Sequence, residues 1–261
     1  MASIITLEDN VGLIYHKVAE KVLPSTTTLY IPSDKGGGSI EPLGSAVLLE
    51  YDESHFLITA GHCLRQKGEI IFSGILNGRE FHNLKGMAMI EHGLNEKIDV
   101  GIFKLSKEST EVCLQNHKFI SQTQILNSSG IRHPAEYLAA GWPISKFQIQ
   151  HRAKKVGKDL VPLLLQSQEP RYYQKLMFSP ADSLLLRFDR RRNTQWGSGE
   201  MSMAPGPKGI SGCGIWYAPD YFLENLDNIA LAGQVARANN AKAGFPIFQS
   251  LKKFRNQFCK D

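Results

Sequence analysis

Three residues of this chain lie in local sequences that suit nucleophilic catalysis. His62 ends the run ITAGH, Asp99 begins the run DVGIFKL, and Ser211 lies in the glycine-rich run GISGCG. A serine hydroxyl is a poor nucleophile at neutral pH, so a neighbouring base must accept its proton as it attacks a carbonyl carbon. Histidine suits that task because its unperturbed pKa is about 6.5. The three residues predict acyl transfer, with Ser211 as nucleophile, His62 as base and Asp99 orienting His62.

The elements that must position these residues are predicted to be mostly short strands. The runs 45–50 and 55–59 flank the acidic turn YDES and predict a hairpin that ends beside His62. Further short apolar runs, broken by turn residues, favour barrels or a sandwich over alternating helices and strands. Helical spacing of apolar residues is confined to 7–23 and 248–258.

The order of the three residues points to one fold. Histidine before aspartate before serine is the order of the chymotrypsin-type double barrel. From about Gly44 to Phe258, with the runs TAGHC, DVGI and GISG, the chain resembles the chymotrypsin-fold (trypsin-like) serine peptidases of the intracellular bacterial type. The resemblance implies an all-β fold of two antiparallel six-stranded barrels with an N-terminal helix and a C-terminal helix.

The resemblance also implies a division of the chain. The predicted parts are an N-terminal helix and glycine-rich lead-in at 1–43, a first barrel with His62 and Asp99 at 44–130, and a second barrel with Ser211 at 131–261, ending in the helix 248–258. The N-terminal helix and an insert near 152–171 are predicted additions to the family core. We expect them to hold a regulatory protein partner or to control access to the site.

Backbone groups around the serine receive roles from the same resemblance. Gly209 and Ser211 would donate their N–H groups to the oxyanion, and Gly212 would leave room for substrate. Cys213 is a rival nucleophile, since viral relatives of the fold use cysteine. If Cys213 were the nucleophile, Ser211 would stand where the family has the glycine of the oxyanion hole. We therefore interpret Cys213 as a small buried residue.

The aspartate has two rivals in the sequence. Glu91 and Glu96 precede Asp99 and carry the same type of side chain. The strand-like run that follows Asp99 favours it over both. Glu91 and Glu96 nevertheless stay open as alternatives.

Two departures from the animal enzymes bear on activation and redox state. Ile210 stands where those enzymes place an aspartate that receives the freed amino terminus after zymogen cleavage. The site must therefore be formed from the start or be ordered by a partner. Cys63 has no cysteine in the run 44–49 to pair with, so the disulfide beside the histidine is missing. Its absence agrees with a reducing compartment.

Specificity is only loosely indicated. Family spacing places Pro205 near the pocket floor, and without an aspartate there we expect no preference for lysine or arginine. The run 231–238 resembles the strand that pairs with substrate backbone. Ala236, Ala238 and Gly244 are predicted to line an open apolar pocket, while Arg237 projects either to solvent or into that pocket.

Composition and charge limit the other functions. The chain has 261 residues, 42% hydrophobic and 21% charged, with a formal net charge of +5. We find no signal peptide or apolar run long enough for a membrane, and no nucleic-acid-binding motif. The histidines lack metal-ligand spacing, so no metal and no cofactor are expected. The expected location is the cytoplasm.

The sequence therefore predicts a serine endopeptidase that acts on polypeptides. A regulated role in bacterial stress or antiphage defence would suit such an enzyme. Two alternatives remain. One is a catalytically idle barrel that serves as a protein-binding module, and the other is an esterase that uses the same three residues.

Overall fold

A computed structural model gives the structure of the protein. It describes residues 17, 19–33, 40–65, 70–73, 81–92, 99–126, 136–144, 147–150, 155–158, 161–178, 183–188, 193–194, 201–202, 208–217, 230–237 and 242–245. The predicted C-terminal helix lies outside these residues. Of the predicted N-terminal helix, residue 17 and residues 19–22 are described, and they are helical.

The described residues of the amino-terminal half form a curled sheet. Its strands are β1 (Thr26–Pro32), β2 (Ile40–Tyr51), β3 (Ser54–Ala60), β4 (Ile71–Ser73), β5 (Phe81–Asn83), β6 (Gly86–His92), β7 (Asp99–Leu105) and β8 (Ile120–Ser121). They pair in the order β5-β4-β1-β2-β3-β7-β6, all antiparallel, and β8 adds to β2 in parallel. The predicted hairpin joins β2 to β3, and its turn residues Asp52 and Glu53 both have positive φ, as a two-residue type I′ turn requires.

A second set of strands follows. They are β9 (Glu136–Gly141), β10 (Phe147–Gln150), β11 (Lys155–Lys158), β12 (Val161–Ser167), β13 (Leu184–Phe188), β14 (Asn193–Thr194), β15 (Met201–Ser202), β16 (Gly214–Tyr217), β17 (Ala230–Arg237) and β18 (Lys242–Phe245). Six of them close into the barrel β12-β13-β18-β17-β16-β9, while β10 pairs with β11 and β14 with β15. The all-β fold of two curled antiparallel sheets is confirmed, with eight strands in the first sheet and six in the second barrel.

Helices are short within the described part of the chain. Besides the helical residues 17 and 19–22, they are α1 (Gly61–Leu64), α2 (Lys107–Asn116) and α3 (Pro170–Leu176), with 3₁₀ turns at Leu23–Ser25 and Gln122–Gln124. The α2 helix starts at an N-cap, since the Ser106 hydroxyl accepts from the Ser109 N–H. None of these helices is long and apolar enough to cross a membrane.

Two boundaries differ from those expected. The first sheet begins before Gly44, because β1 and the start of β2 lie upstream of it. The β1 strand was missed because its first half is the buried polar run TTT, whose β-branched side chains favour strands without an apolar signal. The predicted insert at 152–171 is wrong in part, since β12 is a strand of the barrel itself. The predicted division after residue 130 falls within 127–135, outside the described residues.

Three apolar clusters show how the two sheets join. One fills the first sheet and includes Leu48 and Phe103, and another fills the second barrel and includes Leu163 and Ile215. The third contains residues of both sheets, among them Trp216, which is 1% exposed. The interface between the sheets is therefore a packed apolar core, and burial of this kind is the main favourable term in folding. It fixes the position of one sheet against the other.

Candidate active site

His62 is positioned by the junction of β3 and α1. The β3 strand ends at Ala60 and α1 starts at Gly61, so His62 lies in the first turn of the helix that follows the strand. Ala60 pairs with Val100 of the adjacent β7, which places Asp99, the first residue of β7, beside that turn. A Cβ at Gly61 would lie 3.0 Å from Asp99 Oδ1, so glycine allows the close approach.

Two hydrogen bonds join His62 to Asp99. The His62 backbone N–H donates to Asp99 Oδ1 at 2.8 Å, and Nδ1 lies 2.6 Å from Oδ2. Asp99 is 3% exposed, so its charge acts in a poorly solvated place. When Nδ1 carries the proton toward the carboxylate, the neutral ring presents Nε2 as an acceptor. That tautomer is the one a general base toward a serine hydroxyl needs.

The two side chains shift each other's pKa. The hydrogen bond to Asp99, with a smaller one from Cys63, raises the pKa of His62 above the usual 6.5. Burial by itself would raise the pKa of Asp99, but the hydrogen bond and charge of His62 outweigh burial and lower it. The carboxylate is therefore ionised at neutral pH, and the protonated imidazolium is stabilised beside it.

The Ser211 loop is placed against the strand end that leads to His62. The Ser45 N–H donates to the Ser211 carbonyl at 2.8 Å. The next residue, Gly212, has a φ of 84°, and a Cβ there would lie 2.2 Å from the Ser45 carbonyl oxygen and 2.9 Å from the Ala60 nitrogen. Glycine is thus required where the loop contacts β2 and β3. The loop that carries Ser211 therefore lies against the end of β3, the strand that leads to His62.

The peptide between Lys208 and Gly209 is oriented by the residues after β9. The Ile144 N–H donates to the Lys208 carbonyl at 2.8 Å. Because the N–H and C=O of a trans peptide point in opposite directions, the Gly209 N–H points away from Ile144. Gly209 has a φ of 94°, which favours glycine. Neither its N–H nor that of Ser211 donates to an acceptor among the described residues, so both can serve an oxyanion.

Rival residues are placed differently. Cys213 is fully buried in the core cluster of the second barrel, as a structural residue would be. Of Glu91 only the backbone is described, paired with Val100, and Glu96 lies outside the described residues. Of the three acidic residues, Asp99 is the one whose side chain is described in contact with His62.

The predicted specificity residues are only partly described. Pro205 and Ala238 lie outside the described residues. Gly244 lies on β18, paired with Leu184 and Val235, and Ala236 stands at a register shift of β17 between Val235 and Arg237. Their part in a pocket stays a prediction.

Sequence reasoning missed two polar neighbours of the site. The Arg65 guanidinium lies 3.4 Å from Asp99 Oδ1 and adds a positive charge beside the carboxylate. The Ser45 hydroxyl lies between the first sheet and the serine loop, donating to the Gly209 carbonyl at 3.2 Å. The sequence carries no signal for either role, because a single arginine after His62 and a serine at the start of a predicted strand are ordinary at such positions.

The described cysteine, histidine and acidic side chains form neither a metal-binding group nor a disulfide. No group of three or more His, Cys, Asp or Glu side chains among the described residues is arranged to hold a metal ion. Cys63, Cys113 and Cys213 are buried as thiols without disulfides. Cys63 faces Gly44, where a Cβ would lie 2.8 Å from its Sγ, so the two positions adjoin as the resemblance implies.

Comparison with known proteins gives the fold. No protein-family model matches the chain, and no curated protein matches it. A solved structure titled kallikrein-related peptidase 10 complex with Zn2+ is similar over 91% of this chain and 97% of that one, with 14% identity and a TM-score of 0.53. At this identity the likeness shows a trypsin-like double-barrel fold.

Proposed function

We propose that the chain is a serine endopeptidase whose catalytic residues are Ser211, His62 and Asp99. The observation that carries the proposal is the 2.6 Å contact of His62 Nδ1 with a buried Asp99 carboxylate, at the place where the Ser211 loop meets β3. A trypsin-like fold supports it, because the two halves of this site come from the two barrels.

The reaction follows from the roles of these groups. Ser211 Oγ bonds to the carbonyl carbon of the substrate while His62 Nε2 accepts the hydroxyl proton, and the carbonyl π pair moves to oxygen. The N–H groups of Gly209 and Ser211 stabilise that oxyanion. Its collapse breaks the C–N bond, and the His62 proton goes to the leaving amine. Water, deprotonated by His62, then releases the acyl group and restores Ser211.

An extended polypeptide fits the edge of β17. On one side β17 pairs with β16, with a register shift at Ala232. On the other side, pairing with β18 starts at Gln234, and the Leu126 N–H donates to the Leu231 carbonyl at 2.9 Å. Gly233 pairs with Ile215 of β16, but on the β18 side no described strand pairs with Ala232 or Gly233. A substrate strand would add there through main-chain hydrogen bonds, which favours peptides over small esters.

Digestion of a peptide library by the purified protein tests the activity, with new termini identified by mass spectrometry. We expect cleavage by the wild type and none by Ser211→Ala or His62→Ala, while Ser121→Ala, a substitution on β8 of the first sheet, cleaves normally. Hydrolysis of short esters without any peptide cleavage would favour the esterase. Wild-type protein inert toward both, alone and with cell extract, would favour the idle binding module.

The setting of the enzyme is part of the proposal. We place it in the bacterial cytoplasm, supported by Gly44 standing opposite the Cys63 thiol where a disulfide partner would be. A regulatory partner at the N-terminal helix and a role in stress or phage defence are proposed with it. Ala19 and Val22 of that helix pack into the cluster between the sheets, so a partner there would act close to the barrel interface. Phage plating on cells carrying wild type or Ser211→Ala tests the role, which equal plating would contradict.

A further inference from the structure

Ser45 of β2 uses all its polar groups at the junction of the two barrels. It is fully buried, its N–H donates to the Ser211 carbonyl at 2.8 Å, and its own carbonyl accepts from the Thr59 hydroxyl at 2.8 Å. Its hydroxyl donates to the Gly209 carbonyl at 3.2 Å and accepts from the Trp142 N–H at 3.3 Å. One residue of the first sheet is thus hydrogen-bonded to two carbonyl groups of the serine loop and to one N–H group that follows β9.

The carbonyl groups of the loop are satisfied one after another. Those at 208 and 210 accept from the N–H groups of Ile144 and Cys213, at 2.8 Å and 3.0 Å. Ser45 supplies the donors for the two others, at 209 and 211. A peptide flip in this loop would turn a carbonyl toward the oxyanion position and leave a buried donor without its partner. A buried donor without a hydrogen-bond partner costs free energy. The four hydrogen bonds to the loop carbonyls therefore hold the N–H groups of Gly209 and Ser211 in the orientation that binds an oxyanion.

The side chain inside the loop adds a second attachment. Ile210 is fully buried and belongs to the core cluster of the second barrel. Its packing is apolar, so the loop is anchored there without an ion pair to an amino terminus. With Ser45 on the other side, the loop is held by both barrels.

We propose that Ser45 is a positioning residue whose hydroxyl keeps the oxyanion loop in its binding conformation, so that the site needs no proteolytic activation. The inference rests on the proposed peptidase function. The proposal concerns the hydroxyl of Ser45 and not its backbone, because alanine at this position would keep both backbone hydrogen bonds. It would leave the Gly209 carbonyl and the Trp142 N–H without that partner, in a buried place.

Steady-state kinetics and inhibitor binding on three proteins test the proposal. Wild type, Ser45→Ala and the control Thr26→Ala are compared on one peptide substrate and with a peptidyl aldehyde, whose adduct with Ser211 carries an oxygen in the oxyanion position. We expect Ser45→Ala to lower kcat about tenfold, to weaken the aldehyde by a similar factor and to leave KM nearly unchanged. Thr26 is also buried, and its hydroxyl donates to the Val22 carbonyl at 2.9 Å, so its loss should lower Tm and spare kcat.

The outcomes separate this inference from the function on which it rests. Ser45→Ala with wild-type kcat and aldehyde affinity overturns it, as does an effect confined to KM or one that Thr26→Ala reproduces. A wild type that neither cleaves peptides nor binds the aldehyde overturns the proposed function, and this inference with it. Should Ser45→Ala not fold, Ser45→Cys provides the same comparison, because a thiol of similar size is a weaker hydrogen-bonding group.

Discussion

At the scale of single residues, the pairing of His62 with Asp99 determines how the site handles a proton. The contact of 2.6 Å fixes both the ring orientation and the tautomer, and the buried carboxylate favours the imidazolium that would form in the proposed attack by Ser211. Arg65 lies beside the same carboxylate at 3.4 Å and helps to keep it ionised. These local contacts give two predictions.

Replacing Asp99 by Asn should lower kcat by about 10⁴-fold. The amide can donate to Nδ1, which would leave the proton on Nε2 and remove the acceptor for the serine hydroxyl. Peptide hydrolysis measures the loss, and a circular dichroism spectrum checks the fold. Asp52→Asn, in the exposed hairpin turn between β2 and β3, serves as a matched control that should remain active.

The pH dependence of kcat/KM should reflect the raised pKa of His62. The base must be neutral, so activity is absent while His62 is protonated and rises as pH increases through its pKa. Because the Asp99 hydrogen bond raises that pKa, the acid limb should lie above pH 6.5. The residual activity of Asp99→Asn should show the limb at lower pH. A wild-type limb below 6.5 would contradict the stated effect of Asp99.

At the scale of elements, the site depends on close approaches that glycine permits. His62 and Ser211 can be picked out from the sequence because they lie in short runs with particular neighbours, ITAGH and GISGCG, and their catalytic role stays a prediction. The hairpin before His62 can be predicted from two short apolar runs that flank an acidic turn. The contacts that hold the serine loop cannot be predicted in this way, because Ser45 and Ile144 are distant in sequence from Ser211 and become neighbours only through the packing of two barrels.

Gly44 and Cys63 offer a test of element placement. A Cβ on Gly44 would lie 2.8 Å from Cys63 Sγ, so Gly44→Cys should form a disulfide under mild oxidation. Closing this loop should stabilise the fold by up to about 3 kcal/mol. Mass spectrometry after thiol alkylation and thermal melting with and without reductant measure it. Gly44→Ala, the control, should gain nothing from oxidation, and failure of Gly44→Cys to crosslink would contradict the placement of β2 against α1.

At the scale of the whole molecule, the proposed activity requires that the two barrels keep their relative position. His62 and Asp99 belong to the first sheet and Ser211 to the loop before β16 of the second barrel. The double barrel could be predicted from the order of the three residues and the many short strands. The count of eight strands in the first sheet could not, since β5 and β8 are only three and two residues long and carry little pattern.

Trp216→Ala should weaken both stability and activity. Trp216 is 1% exposed in the cluster between the sheets, and removing a buried aromatic side chain costs about 3–5 kcal/mol. Urea unfolding and peptide hydrolysis below the unfolding transition measure the two effects. Leu114→Ala removes a side chain that is 55% exposed on α2 and should change neither. Equal stability of the two variants would contradict the interface described above.

The central claim is that Ser211 is a nucleophile activated by His62. Labelling with a fluorophosphonate probe, followed by intact-mass measurement and identification of the modified peptide, tests it most directly. We predict one adduct per chain, located on Ser211, with labelling lost in Ser211→Ala and His62→Ala and unchanged in Ser121→Ala. An unlabelled wild type, or an adduct that persists in Ser211→Ala, would contradict the account.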